Sequence, residues 1–192
     1  MLINDDIVAK IKNGGVGVLP TDTVYGLVCS ATHLQAVSRL YGLKDRHQKP
    51  GTIVAANIDQ LIDLGIPPRY LQAVKNYWPN PISIIIPIGP AHYELHQGKM
   101  SLALRVPKNE DLQRLLLQTG PLLTTSANQP GEPVPFNISQ ARHYFGDSVD
   151  FYVDGGDLSG NQPSTIIRVV DDAVEVVREG AIRLSDHGEL LS

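Results

Sequence analysis

The chain has 192 residues, 42% of them hydrophobic, and its 16 Lys and Arg stand against 20 Asp and Glu for a formal net charge of -4. The apolar content excludes a wholly disordered chain. The charge balance excludes a whole-body basic attraction to nucleic acid and leaves room only for a local basic patch.

The length predicts one domain over residues 1–192. The lone cysteine, Cys29, rules out an internal disulfide and a cysteine zinc site. Its setting in Leu27-Val28-Cys29 predicts a buried, inert thiol. The acidic start Met1-Leu2-Ile3-Asn4-Asp5-Asp6 is not a signal peptide. The longest near-apolar run, Ile82–Ile88, is too short to span a bilayer. A soluble, cytoplasmic protein with no membrane contact is expected.

In chain order, Asn4 caps a helix that runs to Lys12 and stops at Asn13-Gly14-Gly15. Val16–Leu19 reads as a buried strand. Leu34–Leu43 reads as a helix with Leu34, Val37, Leu40 and Tyr41 on one face. Thr52–Ala56 is a predicted strand, Asp59–Leu64 a short helix, and Pro67-Pro68 opens a helix to Trp78, stopped by Pro79 and Pro81. Ile82–Ile88 is the strongest strand signal. Then follow a strand at Ser101–Val106, a helix at Asn109–Gln118, a strand at Leu122–Thr125 and a helix at Ile138–Phe145. The last strands are Phe151–Val153, Ser164–Val169 and Val174–Val177, with Asp171-Asp172 as a hairpin turn. Some neighbouring strands are joined too tightly for parallel crossovers, which predicts a mixed sheet.

Two polar segments follow strand-like runs: Thr21-Asp22-Thr23 after Val16–Leu19, and Ser126-Ala127-Asn128 after Leu122–Thr125. In open α/β sheets ligands bind beyond the carboxyl ends of strands, so a pocket is expected there. Lys44 and Arg46, two residues apart in a loop, converge on one anion in extended chain, with Lys49 as a third charge. The plainer reading of such a triplet alone is a solvated turn. Ser126 and Asn128 have the same spacing and supply donors and an acceptor, as a plain Ser/Asn turn also does. Asp22 either holds an ammonium or caps the local turn. Trp78 falls on a core stripe with Leu71 and Val74, beside a second reading as an aromatic floor for a base. His92 and His96 have helical metal-site spacing but lie between Pro90 and Gly98, so a surface loop and no metal site are expected. Asp154-Gly155-Gly156 through Gly160 is glycine-rich but matches neither the P-loop nor the dinucleotide fingerprint.

Together these segments resemble the YrdC/TsaC family, the threonylcarbamoyl-AMP synthases. The resemblance rests on Pro20-Thr21-Asp22-Thr23-Val24-Tyr25-Gly26-Leu27, Lys44-x-Arg46 with Lys49-Pro50, and Trp78-Pro79-x-Pro81. It continues through Ala103-Leu104-Arg105-Val106-Pro107, Ser126-Ala127-Asn128-x-x-Gly131, Asp154-Gly155-Gly156, Pro163-Ser164-Thr165-Ile166 and Arg178-x-Gly180-Ala181-Ile182. They stand in family order from about Val16 to Ile182.

The resemblance implies a mixed α/β fold with a curved, largely antiparallel or mixed sheet flanked by helices, and a concave, positively charged site. It implies that L-threonine, bicarbonate and ATP give threonylcarbamoyl-AMP and pyrophosphate, with magnesium arriving on ATP. The product would serve a partner transferase that makes threonylcarbamoyladenosine in tRNA. Some relatives also bind RNA. By the same resemblance Lys44 and Arg46 are the catalytic cations for phosphates and threonyl carboxylate. Ser126, Asn128, Ser164 and Arg178 hold ATP, and Thr23 and Arg105 orient threonine. Asn80, Ser83 and Gly51 depart from the family's Gly, Thr and Leu or Ile. The chain ends soon after Ile182, which implies that the extra C-terminal domain of longer members is absent. The rival readings are a non-catalytic RNA-binding module and a nucleotide-binding paralogue of the same fold. The retained K-x-R and S-x-N pairs speak against the paralogue, and the net negative charge speaks against RNA binding as the main role.

Overall fold

A computed structural model describes residues 4–45, 48–170, 173–185 and 188–191. The elements run α1 (Asp5–Lys12), β1 (Gly17–Pro20), β2 (Tyr25–Ser30), α2 (Leu34–Leu43), β3 (Thr52–Val54), α3 (Ile58–Asp63), α4 (Pro68–Val74), β4 (Ile82–Pro87), α5 (Tyr93–His96), β5 (Ser101–Arg105), α6 (Glu110–Thr119), β6 (Leu122–Ser126), α7 (Ile138–Phe145), β7 (Phe151–Tyr152), β8 (Thr165–Val170) and β9 (Ala173–Arg178). Helices α1, α3, α6 and α7 each begin after an asparagine, Asn4, Asn57, Asn109 or Asn137, whose side chain accepts the amide three residues on. That bond satisfies one of the amides a helix start leaves unpaired.

Most expected elements are present within a residue or two. The expected helix to Trp78 ends as α-helix at Val74 and tightens into a 3-10 turn at Lys75–Tyr77. The expected strand Thr52–Ala56 pairs only over Thr52–Val54. Leu34 is not on the buried face of α2: it is 52% exposed, and Ala36 packs with Val37, Leu40 and Tyr41 instead. At the first turn of a helix a side chain has no preceding turn to lie on. Strand β2 was hidden by the polar residues before it, although Leu27-Val28-Cys29 lies at its centre. The expected hairpin turn Asp171-Asp172 lies outside the described residues, and the strands on either side of it pair antiparallel.

Among the described residues one nine-stranded sheet forms, in the order β7-β1-β2-β6-β3-β5-β4-β8-β9. Its pairings are antiparallel except β1 with β7, β3 with β5 and β4 with β8. The expected mixed sheet is therefore observed.

The two faces of this sheet are treated differently, and side-chain alternation along each strand shows how. Tyr25, Leu27 and Cys29 of β2, Ile53 of β3, Ile82, Ile84 and Ile86 of β4, Leu102 and Leu104 of β5 and Ile167 of β8 share one core with α2, α3, α4 and α7. On the opposite face Leu19, Val28, Val54, Leu122 and Phe151 form a smaller core under α1 and α6, with Ile7, Val8, Ile11, Leu112, Leu115 and Leu116. That second cover reaches only part of the sheet. Other residues on this face, Gly26, Thr124 and Ser126, Thr52, Ser101, Ala103 and Arg105, Ile85, and Ile166 and Arg168, line an open cavity instead.

Gly51, where the resemblance leads to an expected Leu or Ile, lies against β6. A Cβ there would stand 2.7 Å from the Thr124 carbonyl oxygen and 2.9 Å from a Leu123 methyl. Gly51→Leu must push β3 off β6, and overpacking of this kind costs about 1–3 kcal/mol. Urea unfolding should show that loss as a lower midpoint; an unchanged midpoint would contradict the packing described.

Candidate active site

The cavity has a volume of about 500 Å³. Its floor is the uncovered sheet face, and its walls are the turn at Thr21–Val24 and the segment Pro163–Ser164. It therefore spreads across the sheet rather than beyond a row of carboxyl strand ends, as the sequence had suggested. A sheet with mostly antiparallel pairs has no common carboxyl edge to build on. The lining carries hydroxyls from Thr21, Thr23, Thr52, Ser101, Thr124, Thr125, Ser126 and Ser164. Among the described residues its charged members are Lys99, Arg105, Arg168 and Arg178, with no Asp or Glu. Arg105 and Arg168 are partly engaged, by Asp22 at 3.1 Å and by Glu175 at 2.8 Å, and the cations and hydroxyl donors of the lining together suit a polyanion.

Thr23, Arg105, Ser126, Ser164 and Arg178, all expected from the resemblance, meet in this cavity. Arg46 lies outside the described residues. Lys44 and Asn128 stand behind the wall. Lys44 is only 2% exposed. Its ammonium donates to the Ser126 carbonyl at 2.7 Å, to the Asn128 carbonyl and to Asn128 Oδ1 at 3.3 Å. Asn128 Nδ2 donates in turn to the Glu132 carbonyl at 2.6 Å, and Gln129 Nε2 to the Leu43 carbonyl at 3.2 Å. The loop after β6 is thus tied to the end of α2, and Ser126 is held at the cavity by the carbonyl Lys44 grips. Lys49, expected as a third charge, is exposed and absent from the lining; its amide donates to Gln97 Oε1 at 3.0 Å.

At the other end of the floor, Arg178 donates from Nη2 to the Ser164 carbonyl at 2.6 Å and to its Oγ at 3.2 Å. Ser83 Oγ lies 2.9 Å from Ser164 Oγ, so Ser83, where the resemblance leads to an expected threonine, still presents a hydroxyl to Ser164. Gly180 allows the approach: a Cβ there would collide with the Pro163 and Ser164 backbone. Asn80, the departure in the Trp-Pro segment, donates from Nδ2 to the Tyr77 carbonyl at 2.9 Å and closes the 3-10 turn.

The Thr21–Val24 turn is knitted by Thr21. Its amide and hydroxyl donate to the Val24 carbonyl at 3.2 and 2.7 Å, and its Oγ1 accepts the Thr23 amide at 3.2 Å. Asp22 does not cap this turn. Its carboxylate lies 3.1 Å from Arg105 Nη2, and both side chains are 5% exposed. Burial pushes the Asp22 carboxyl above its usual range, with the Arg105 charge pulling against it, and burial lowers Arg105.

Other sequence features fall away from the cavity. Trp78 is core, and its Nε1 donates to the Ile82 carbonyl at 2.9 Å. Burial pushes the Cys29 thiol up to about 12, which keeps it protonated. The expected surface loop at His92–His96 is a correction: Tyr93–His96 forms a short helix and His96 is buried, its Nδ1 accepting the Gly98 amide at 3.0 Å. Among the described residues no three His, Cys, Asp or Glu gather as a metal site would require. No described helix is long and apolar enough to cross a membrane.

Sequence reasoning missed Lys99, Ser101, Ala103, Thr52, Thr124, Ile85, Ile166 and Arg168 as cavity residues. A signal was present. Alternate residues of Ser101-Leu102-Ala103-Leu104-Arg105 are small, hydroxylated or charged, and so are Thr124 and Ser126 after the core residue Leu122 on the same side of β6.

Comparison with known proteins shows the family and agrees with the fold. The Sua5/YciO/YrdC family model, described as "Telomere recombination", matches residues 9–180, and the chain belongs to that family. It is 37% identical to a threonylcarbamoyl-AMP synthase of Pseudomonas aeruginosa over 162 residues, covering 82% of this chain and 87% of that protein. With a threonylcarbamoyl-AMP synthase of Stutzerimonas stutzeri it shares 32% identity over 181 residues, 88% of this chain and 92% of that one. The crystal structure of P. abyssi Sua5 complexed with L-threonine superposes with a TM-score of 0.81 at 26% identity, covering 93% of this chain and 54% of that chain. E. coli YciO superposes at 0.80 with 26% identity, covering 95% and 91%. The chain thus spans about half of the P. abyssi protein and most of the other three.

Lys44 is a buried tie and not an exposed charge, so removing it has a structural cost. Lys44→Ala leaves the Ser126 and Asn128 carbonyls without their charged donor, a loss of about 1–3 kcal/mol. Denaturant unfolding checks this: a clear drop in stability is expected, and a midpoint equal to the parent's would contradict the buried tie.

Proposed function

We propose that this protein is a threonylcarbamoyl-AMP synthase, joining L-threonine, bicarbonate and ATP into threonylcarbamoyl-AMP with release of pyrophosphate. The observation that carries the reading is the composition of the cavity on the uncovered sheet face. Among the described residues hydroxyls and cations line it without a carboxylate, with Thr21, Thr23, Arg105, Ser126, Ser164 and Arg178 all facing one space. The names of the P. aeruginosa and S. stutzeri relatives, and the threonine complex of P. abyssi Sua5, support it.

In this reading Arg105 and Thr23 receive the amino acid's carboxylate and hydroxyl. Ser126, Ser164 and Arg178 receive the phosphates of ATP. The threonine amine and bicarbonate form the carbamate with loss of water; a carbamate oxygen then attacks the α-phosphorus, the oxygen–phosphorus bond forms as the α–β phosphoanhydride bond breaks, and pyrophosphate leaves. Both reactants are anions, so their approach is the barrier. Fixed cations and donors lower it by stabilising the charge that develops on the phosphoryl oxygens. Holding the two at near-attack distance supplies the rest. Lys44 contributes from behind the wall by fixing the Ser126 carbonyl, and hence the Ser126 hydroxyl.

Magnesium fits as part of the nucleotide. With no carboxylate in the lining, the phosphates themselves would be its ligands, and bound there it would neutralise part of their charge. A product of this kind is an activated acyl-phosphate, suited to transfer onto tRNA by a partner enzyme. The continuous sheet, β7 through β9, supports reading residues 1–192 as one domain.

Pyrophosphate release should require threonine, bicarbonate and magnesium–ATP together. Serine lacks one methyl, worth about 1–3 kcal/mol in an apolar pocket, and should be a poorer substrate but not an inert one. A coupled pyrophosphate assay reads both. Release that ignores threonine or bicarbonate, or no release at all, would refute the synthase reading.

A further inference from the structure

We propose that Asp22 is a positioning residue: its ion pair with Arg105 clasps the Thr21–Val24 turn down onto the sheet and fixes the threonine end of the cavity. The proposal rests on the synthase reading above.

The topology shows why a clasp is needed. Arg105 ends β5 opposite Val54, and Val54 in turn is opposite Leu122. The turn enters β2 near Gly26, which is opposite Ser126 at the far end of β6. Asp22 and Arg105 are therefore separated by two intervening strands and by the length of β6. They meet because the turn doubles back over the sheet face. Gly26 permits this, since a Cβ there would stand 3.1 Å from Thr21 Cγ2 and 2.8 Å from Thr124 Oγ1.

The turn's own shape does not need Asp22, because Thr21 supplies the bonds to Val24 and Thr23. Neither carboxylate oxygen of Asp22 has a hydrogen bond of good geometry; its contact is the Arg105 charge. Arg105 Nε likewise has no hydrogen-bond partner. One charge contact, not a network, fixes where the guanidinium sits.

The pair is also a partition. Arg105 lines the cavity already described, whereas Asp22 lines a second one beside it, with Asn161, Gln162 and Arg183. Among the described residues Asp22 is the ion-pair partner of the guanidinium, and it holds Arg105 against swinging away from the substrate. Stability is a poor reason to bury such a pair, because desolvation offsets much of the attraction. Orientation is the better one.

The test is a double-mutant cycle on the pyrophosphate assay with Asp22→Asn, Arg105→Met and the double variant. Asp22→Asn should raise the KM for threonine by about tenfold and leave the KM for ATP within about twofold, and it should add little once Arg105 is Met. Additive effects, an equal rise in both KM values, or a loss confined to kcat would overturn the proposal. If Asp22→Asn does not fold, Asp22→Glu carries the test: the longer acid displaces the guanidinium, and an unchanged threonine KM would overturn it. If the parent protein shows no threonine-dependent release, the synthase reading has failed by itself. The clasp is then decided by the Arg105 Nε–Hε NMR signal without substrate. Displacement of that signal in Asp22→Asn supports the clasp, and an unmoved signal overturns it.

Discussion

The site exists because one face of a nine-stranded sheet is only partly covered. Helices α1 and α6 bring Ile7, Val8, Ile11, Leu112, Leu115 and Leu116 to Leu19, Val28, Val54 and Leu122, and their cover ends there. On the same strands the next cavity-side positions are Gly26, Thr52 and Thr124. A bare sheet face in water must be polar or be filled by a ligand. Here it is hydroxyl-rich and rimmed by arginines, while the opposite face is a continuous apolar core that keeps the floor rigid.

Rigidity matters because the chemistry proposed asks for position more than for a reactive side chain. The segments around the floor are each fixed by a specific contact. Lys44 holds the Ser126–Asn128 loop to the end of α2, Arg178 holds Ser164, and the Thr21 hydroxyl holds its own turn. Sites that act by electrostatic preorganisation need donors already in place before the substrate arrives. The buried Lys44 fits that role better than the role of a mobile phosphate grip, which the bare K-x-R spacing suggests.

Much of the fold was legible in the chain. The cap residue Asn4 announced α1, and Ile82–Ile88 announced β4. The ordered motifs carried the family, and five of the eight expected site residues, Thr23, Arg105, Ser126, Ser164 and Arg178, line one cavity. What was not legible depends on contacts distant in sequence. No local pattern says that Lys44 is buried under the residue 126–128 carbonyls, or that Asp22 faces a side chain 83 positions away. Strand β2 was obscured because its turn doubles back, so polar residues adjoin a buried run. The cavity's place across the sheet follows from strand directions, which single-strand signals do not contain.

The central claim is that threonine and ATP meet on the uncovered half of the sheet. Its most direct test is a crystal structure with threonine, bicarbonate and an ATP analogue that cannot release pyrophosphate. The phosphates should lie against Ser126, Ser164 and Arg178, and the amino acid against Thr23 and Arg105. The carbamate oxygen should stand about 3–3.5 Å from the α-phosphorus and in line with the leaving group, as a near-attack arrangement requires. Threonine and nucleotide bound in separate places, or threonine in the neighbouring cavity beyond Asp22, would contradict the account.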